Sequence, residues 1–214
     1  PNNPRFFELR ELHGIKTLKE KDLMDELSRD DQIPTLTKAI KKSGVKDPLW
    51  VKQLSSGKFL VIEGNRRTYI LRNLIEENVQ PPRNVDYHRV RANVLPIDTK
   101  EPEVLLQRVR LQTGKKDWGS FNKAVTTHDL RDKYGMQLED IATELQISVR
   151  EALKRIEDHT RFMRFVKDTG TRDPKKFAFF VDMPKRVKDW INDNEGNEKI
   201  FFNLITPRDG VQKI

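Results

Sequence analysis

The segment Phe59-Leu60-Val61-Ile62-Glu63-Gly64-Asn65-Arg66-Arg67-Thr68 constrains this chain more than any other. An apolar run suited to a strand stops at a glycine, and two adjacent arginines then open a stretch with helical spacing. A strand turning directly into a helix collects backbone N–H groups, the positive end of the helix dipole and two guanidinium forks in one place. A phosphate group is the guest such a junction suits. The residues alone leave three readings open. The phosphate belongs to a nucleotide, it belongs to a DNA backbone, or the arginines pair on the surface with Glu63, Glu76 or Glu77, which is worth little.

The flanking sequence builds a small α/β unit around the junction. Residues up to about 29 form a charged helical lead-in with Leu18, Leu23 and Leu27 as apolar contacts. Leu36, Ala39 and Ile40 give a helix over 35–43, closed by Gly44 in the position of a C-cap. Pro48 leads into a strand over 49–54, and Ser55-Ser56-Gly57 returns it as a second strand over 59–62. A helix over 66–77 buries Ile70, Leu71, Leu74 and Ile75, Pro81-Pro82 ends it, and a third strand spans 90–95. After Pro102 helices take over: 103–111, 121–134, a pair over 138–156, 162–167 and 184–192, with a last apolar patch over 200–205.

The pair over 138–156 has the spacing of a helix-turn-helix. Leu138, Ile141, Ala142 and Leu145 line one side of the first helix, with Ala142 small where the second must approach. Ile147 plugs the turn and Ser148 is placed to N-cap the second helix. Leu153 and Ile156 are expected to pack inward, leaving Ser148, Val149, Arg150, Lys154 and Arg155 for DNA. Arg150 is the candidate base contact, bidentate to guanine, and Lys154 and Arg155 the phosphate contacts. Gln146 departs from the glycine usual in such a turn. The other reading is a plain helical hairpin with a solvated basic face.

Charge favours a polyanion. The formal net charge is +8 with a pI near 9.6, and the stretches 105–133 and 161–190 carry excesses of +4 and +5. No apolar run approaches the roughly 18 residues of a membrane span, and the opening Pro1-Asn2-Asn3-Pro4 has no signal-peptide pattern and no initiator Met. The absence of cysteine removes disulfides and thiolate metal sites and fits a cytoplasmic protein. His13, His88, His128 and His159 are scattered, with no paired spacing for a metal. Trp50, Trp118 and Trp190 read as packing residues, and the run 177–180 as core packing or an interaction surface, with base stacking the other reading.

An α/β unit carrying Gly64-Asn65-Arg66-Arg67, with a helix-turn-helix about seventy residues later, resembles the ParB family of partition proteins. The resemblance runs over 33–156 and includes Gly44 and Pro48. It implies an α+β fold: a ParB/sulfiredoxin-like nucleotide-binding domain with a helical lead-in over 1–100, an all-helical helix-turn-helix domain over 101–170, and a helical extension of unassigned role over 171–214. It further implies a CTP-binding DNA clamp in segregation of a plasmid, phage or chromosome, acting on nucleoid or plasmid as a homodimer, with Mg²⁺ and a partition ATPase as further partners. Residues 177–205 are the candidate dimerisation region.

Carried over, Gly64, Asn65, Arg66 and Arg67 would hold the triphosphate, Thr68 would add a hydrogen bond, and Gly44 and Pro48 would lie in the loop nearby. Where hydrolysing members have Glu-Asn-x-Gln, this chain has Val109-Arg110-Leu111-Gln112. Arg110 can neutralise phosphate, but the metal-holding carboxylate is gone, and only Glu63 stands as a substitute. Nucleotide binding is therefore expected and hydrolysis is not. Two other functions stay open: a ParB-like nuclease or nucleotide hydrolase, and a transcriptional repressor without nucleotide response.

Overall fold

The computed structural model describes Glu11 and residues 19–112 and 119–206. His13, Leu18 and Trp118 lie outside the described residues. The two long stretches form separate compact units, and the chain is of the mixed α+β class.

In the first unit the elements run α1 (Glu20–Ser28), α2 (Ile33–Ser43), β1 (Leu49–Gln53), β2 (Phe59–Glu63), α3 (Asn65–Glu76), β3 (Ala92–Leu95) and α4 (Glu101–Gln112). The sheet order is β2-β1-β3. β1 and β2 form an antiparallel hairpin whose turn contains Gly57 at φ 76°, a left-handed angle that glycine adopts without steric cost. β3 returns parallel to β1, with Val51 opposite Val94. Ile40 from α2 and Ile70, Leu71 and Leu74 from α3 close over Tyr87 as one core cluster. Burying each such aliphatic side chain contributes about 1.5–3 kcal/mol before ordering costs. α2 ends where Gly44 turns to φ 70° and its N–H bonds to Ile40 O at 2.8 Å. A methyl added there would lie 2.9 Å from Val85 Cγ1, so this corner accepts only glycine without rearrangement.

The second unit contains α5 (Ser120–His128), a π-helical turn (Asp129–Lys133), α6 (Leu138–Leu145), α7 (Val149–Thr169), a 3₁₀ turn (Pro174–Phe177), α8 (Ala178–Val181), α9 (Lys185–Asp193) and α10 (Glu195–Ile205). The helix expected over 121–134 changes character at His128. Asp129 and Leu130 are buried, and Tyr134 N–H bonds five residues back to Asp129 O at 3.1 Å. The second helix of the pair also runs on past 156 to Thr169. Ala152, Asp158, His159, Phe162 and Phe165 keep one face buried along its whole length. That face meets an aromatic cluster: Phe162 stands edge-on to Phe121, Phe177 and Phe180, and Phe165 edge-on to Phe202. Such pairs add about 0.5–1.5 kcal/mol each beyond burial. The C-terminal helices thus pack on α7 through Phe177, Phe180 and Phe202, whereas Phe179 and Trp190 are half-exposed rather than core residues.

Candidate functional site

The strand-to-helix junction is built around Gly64. It sits at φ 103°, ψ 19° and N-caps α3 with no side-chain cap and no acidic residue in the first turn. A Cβ there would come within 2.4 Å of Leu49 Cδ2, because β1 presses its first side chain onto the turn. Conformation and space both demand glycine. The carboxylates near the positive end of α3 come from outside the helix, Glu63 just before it and Asp30 from the α1–α2 corner.

Both arginines follow in the first turn, and both are held by protein partners. Arg67 Nη1 donates to Asp47 O at 2.6 Å and to Pro48 O at 3.4 Å, while Nη2 bonds the Glu63 carboxylate. Its side chain is 12% exposed. Arg67 therefore ties the start of β1 to the end of β2, and charge-assisted hydrogen bonds of this kind contribute about 1.5–3 kcal/mol. Arg66 Nη1 bonds Gln32 Oε1 and lies 3.7 Å from Asp30 Oδ2. Asp30 in turn accepts from Gln32 N–H at 3.0 Å, which orients the α1–α2 corner. Of the surface partners considered from sequence, Glu63 is engaged by Arg67; Asp30 and Gln32 carried no local sequence cue.

Thr68 Oγ1 donates to Gly64 O at 3.1 Å, one turn back along its own helix. Pro48 is brought to the arginines through its carbonyl; Gly44 is set against Val85. Arg110 is exposed on α4, two residues from Arg108, which is 4% exposed and was passed over in the sequence. At the periphery Arg72 bonds Glu20, and this hydrogen bond holds the Glu20 carboxyl below its ordinary range. Among the described residues no three His, Asp or Glu side chains gather as a metal group.

In the second unit α6 and α7 pack on each other across the short turn 146–148. Gln146 closes α6 in the left-handed region at φ 54°, ψ 46°, the conformation usually given to glycine. Ile147 N–H bonds Ala142 O at 2.9 Å across the turn. Ser148 caps α7, its Oγ accepting from Glu151 N–H at 3.1 Å. Ala142 and Ala152 are buried, as a close crossing requires.

The face of α7 differs from expectation at two adjacent positions. Leu153 does not pack inward: it is 44% exposed, beside exposed Val149 and Arg150. Lys154 does turn inward, donating to Asp158 Oδ2 and to Val181 O, each at 3.0 Å. Asp158 is 2% exposed, and its other oxygen takes Lys188 Nζ at 3.2 Å. A buried carboxylate needs cations, and Lys154, one turn away on the same helix, supplies one while 38% of its side chain stays exposed. Arg155 Nε donates to Glu151 Oε1 at 2.9 Å. Lys154 and Arg155 line a cleft of about 360 Å³ with Ser120 and Lys123. Farther along α7, Arg161 and Arg164 meet Glu198 on α10.

The histidines are less scattered than the sequence suggested. The rings of His128 and His159 lie 4.4 Å apart between centroids, and His128 Nε2 is 2.8 Å from Asp132 Oδ2.

No family model matches the chain, and none of the curated proteins does. Among solved structures it is similar to the C-terminally truncated chromosome-partitioning protein ParB from Caulobacter crescentus. With that protein complexed with CTP-γ-S, identity is 17% and the TM-score 0.28, over 91% of this chain and 84% of that one. With the same protein complexed to the centromeric parS site, the values are 16% and 0.27, over 90% and 93%. Similarity at this level carries no weight for the function of this chain. No helix among the described residues is long and apolar enough to cross a membrane.

Proposed function

We propose that this chain is a ParB-like DNA-binding protein whose hold on double-stranded DNA is regulated by CTP. The observation that carries the reading is the opening of α7. A left-handed Gln146, a Ser148 cap and an exposed Arg150 place one basic fork at the start of the second helix of a helix-turn-helix. Arg150 reads a base edge, Ser148 and Val149 lie against the same groove, and Arg155 and Lys123 supply positive charge nearby.

The junction at Gly64 fits a phosphate. A Cβ would fill the turn, and the opening of α3 combines a dipole with two guanidiniums. Gly64, Asn65, Arg66 and Arg67 would hold the triphosphate, with Arg66 and Arg67 exchanging carboxylate partners for phosphate oxygens. Bound there, CTP supplies negative charge that draws these side chains together. Arg110 would contribute charge from α4. No residues are assigned to Mg²⁺, and no hydrolytic step is derived. Partition of a plasmid, phage or chromosome, a nucleoid- or plasmid-associated location, a partner ATPase and a homodimer complete the proposal. Ile200 and Leu204, both more than half exposed, are the candidate dimer contacts.

A second reading has its own support. Because Arg66 and Arg67 are already satisfied by Gln32, Asp30 and Glu63, the junction serves equally as a structural clamp in a repressor without nucleotide response. Calorimetric titration with the four ribonucleoside triphosphates separates the two. Heat with CTP that is lost in Arg66→Ala supports the first; DNA binding with no heat from any nucleotide selects the second.

A further inference from the structure

We propose that Leu153, together with Val149, is a contact surface for the 5-methyl group of thymine in the major groove of a DNA duplex. The inference rests on the DNA-binding reading of α7 and goes past it, naming a base contact made without hydrogen bonds.

Val149 and Leu153 are 40% and 44% exposed. Four residues apart on one helix, they stand on the same face. The exposed face continues through Glu157, Thr160 and Arg164, all polar, so only its first two turns are apolar. The opposite side of the same helix breaks the usual pattern the other way: Asp158 and His159 are buried. A leucine and a valine turned to solvent on one helical face are a local breach of inside–outside patterning, and such breaches concentrate at functional sites. Ala152, fully buried, holds α7 in a close crossing that fixes this rotation.

The occupant follows from position and charge. The first turns of the second helix are the part of a helix-turn-helix that enters the major groove. Arg150 is exposed beside the apolar pair, which matches a polyanion. On the major-groove edges of the bases the thymine methyl is the apolar group, and alkyl side chains contact it.

The test begins with duplexes that the wild-type chain enriches from a random-sequence pool. Each thymine of an enriched duplex is then replaced singly by deoxyuridine, which removes only the methyl. At one or more positions wild-type affinity is expected to fall about three- to fivefold, the loss for one buried methyl group. Leu153→Ala, checked for native circular dichroism, should bind the thymine duplex more weakly by a similar factor and be indifferent to deoxyuridine there. Val149→Ala provides a second variant should Leu153→Ala fold poorly. Thymines that can all be replaced without loss, or a loss that persists unchanged in both variants, overturn the inference while leaving DNA binding intact. Failure to enrich any duplex overturns the DNA reading itself, and the inference with it.

Discussion

The Lys154 ammonium lies 3.0 Å from a carboxylate oxygen of Asp158, a residue only 2% exposed. Lys188 holds the other oxygen from α9. Lys154 thus serves the packing of the second unit, while 38% of its side chain stays exposed. Lys154→Ala should therefore lower unfolding stability by about 1–3 kcal/mol. The double variant with Lys188→Ala strips both cations from a buried carboxylate and should cost about 3–5 kcal/mol. Urea unfolding measures both. An unchanged unfolding midpoint with a loss of DNA affinity would instead assign Lys154 to DNA.

Arg66→Ala and Arg67→Ala should separate cleanly. Arg67 is the more enclosed of the two and bonds two backbone carbonyls and Glu63. Its removal should destabilise the first unit by about 2–4 kcal/mol. Arg66 meets Asp30 and Gln32 with 24% of its side chain exposed and bonds no backbone carbonyl, so Arg66→Ala should cost less, about 1–2 kcal/mol. Thermal unfolding of the two variants side by side decides this. Equal losses would mean that Arg66 too is structural and unsuited to probing phosphate.

Gly64→Ala meets both a left-handed backbone and a 2.4 Å approach to Leu49. We expect a loss of about 2–4 kcal/mol, together with loss of any nucleotide heat. A variant as stable as the wild type would show that β1 gives way there easily.

At the turn between α6 and α7, Gln146→Val should destabilise by about 1–2 kcal/mol, since a β-branched residue is badly placed at φ 54°. Ser148→Ala should cost about 0.5–2 kcal/mol through the lost cap. Chemical unfolding reads both, and no change in either would contradict the turn geometry.

Much of the first unit was legible because its cues are local. Gly44 and Gly57 mark chain reversals, the apolar runs on either side of Ser55-Ser56-Gly57 mark the hairpin, and the spacing of Ile70, Leu71 and Leu74 marks the buried side of α3. Ser148 as a cap was legible for the same reason. The partners of the two arginines were only partly so: Glu63 is one turn away, but Asp30 and Gln32 reach Arg66 through the fold. The rotation of α7 was hidden because hydrophobic spacing places Leu153 inside. The tertiary packing of Ala152, Phe162 and Phe165 sets the buried side of α7, and Leu153 falls outside it. His128 and His159 likewise meet only because α5 packs on α7.

The central claim is that the opening of α7 holds DNA, and Arg150 tests it most directly. Wild-type and Arg150→Ala chains would be titrated with a duplex enriched from a random-sequence pool, at several salt concentrations. Affinity should fall steeply and linearly in log–log form with salt, with a loss of about 1–3 kcal/mol on removing Arg150. Salt-insensitive binding, or an Arg150→Ala chain that binds as tightly as the wild type, would contradict it.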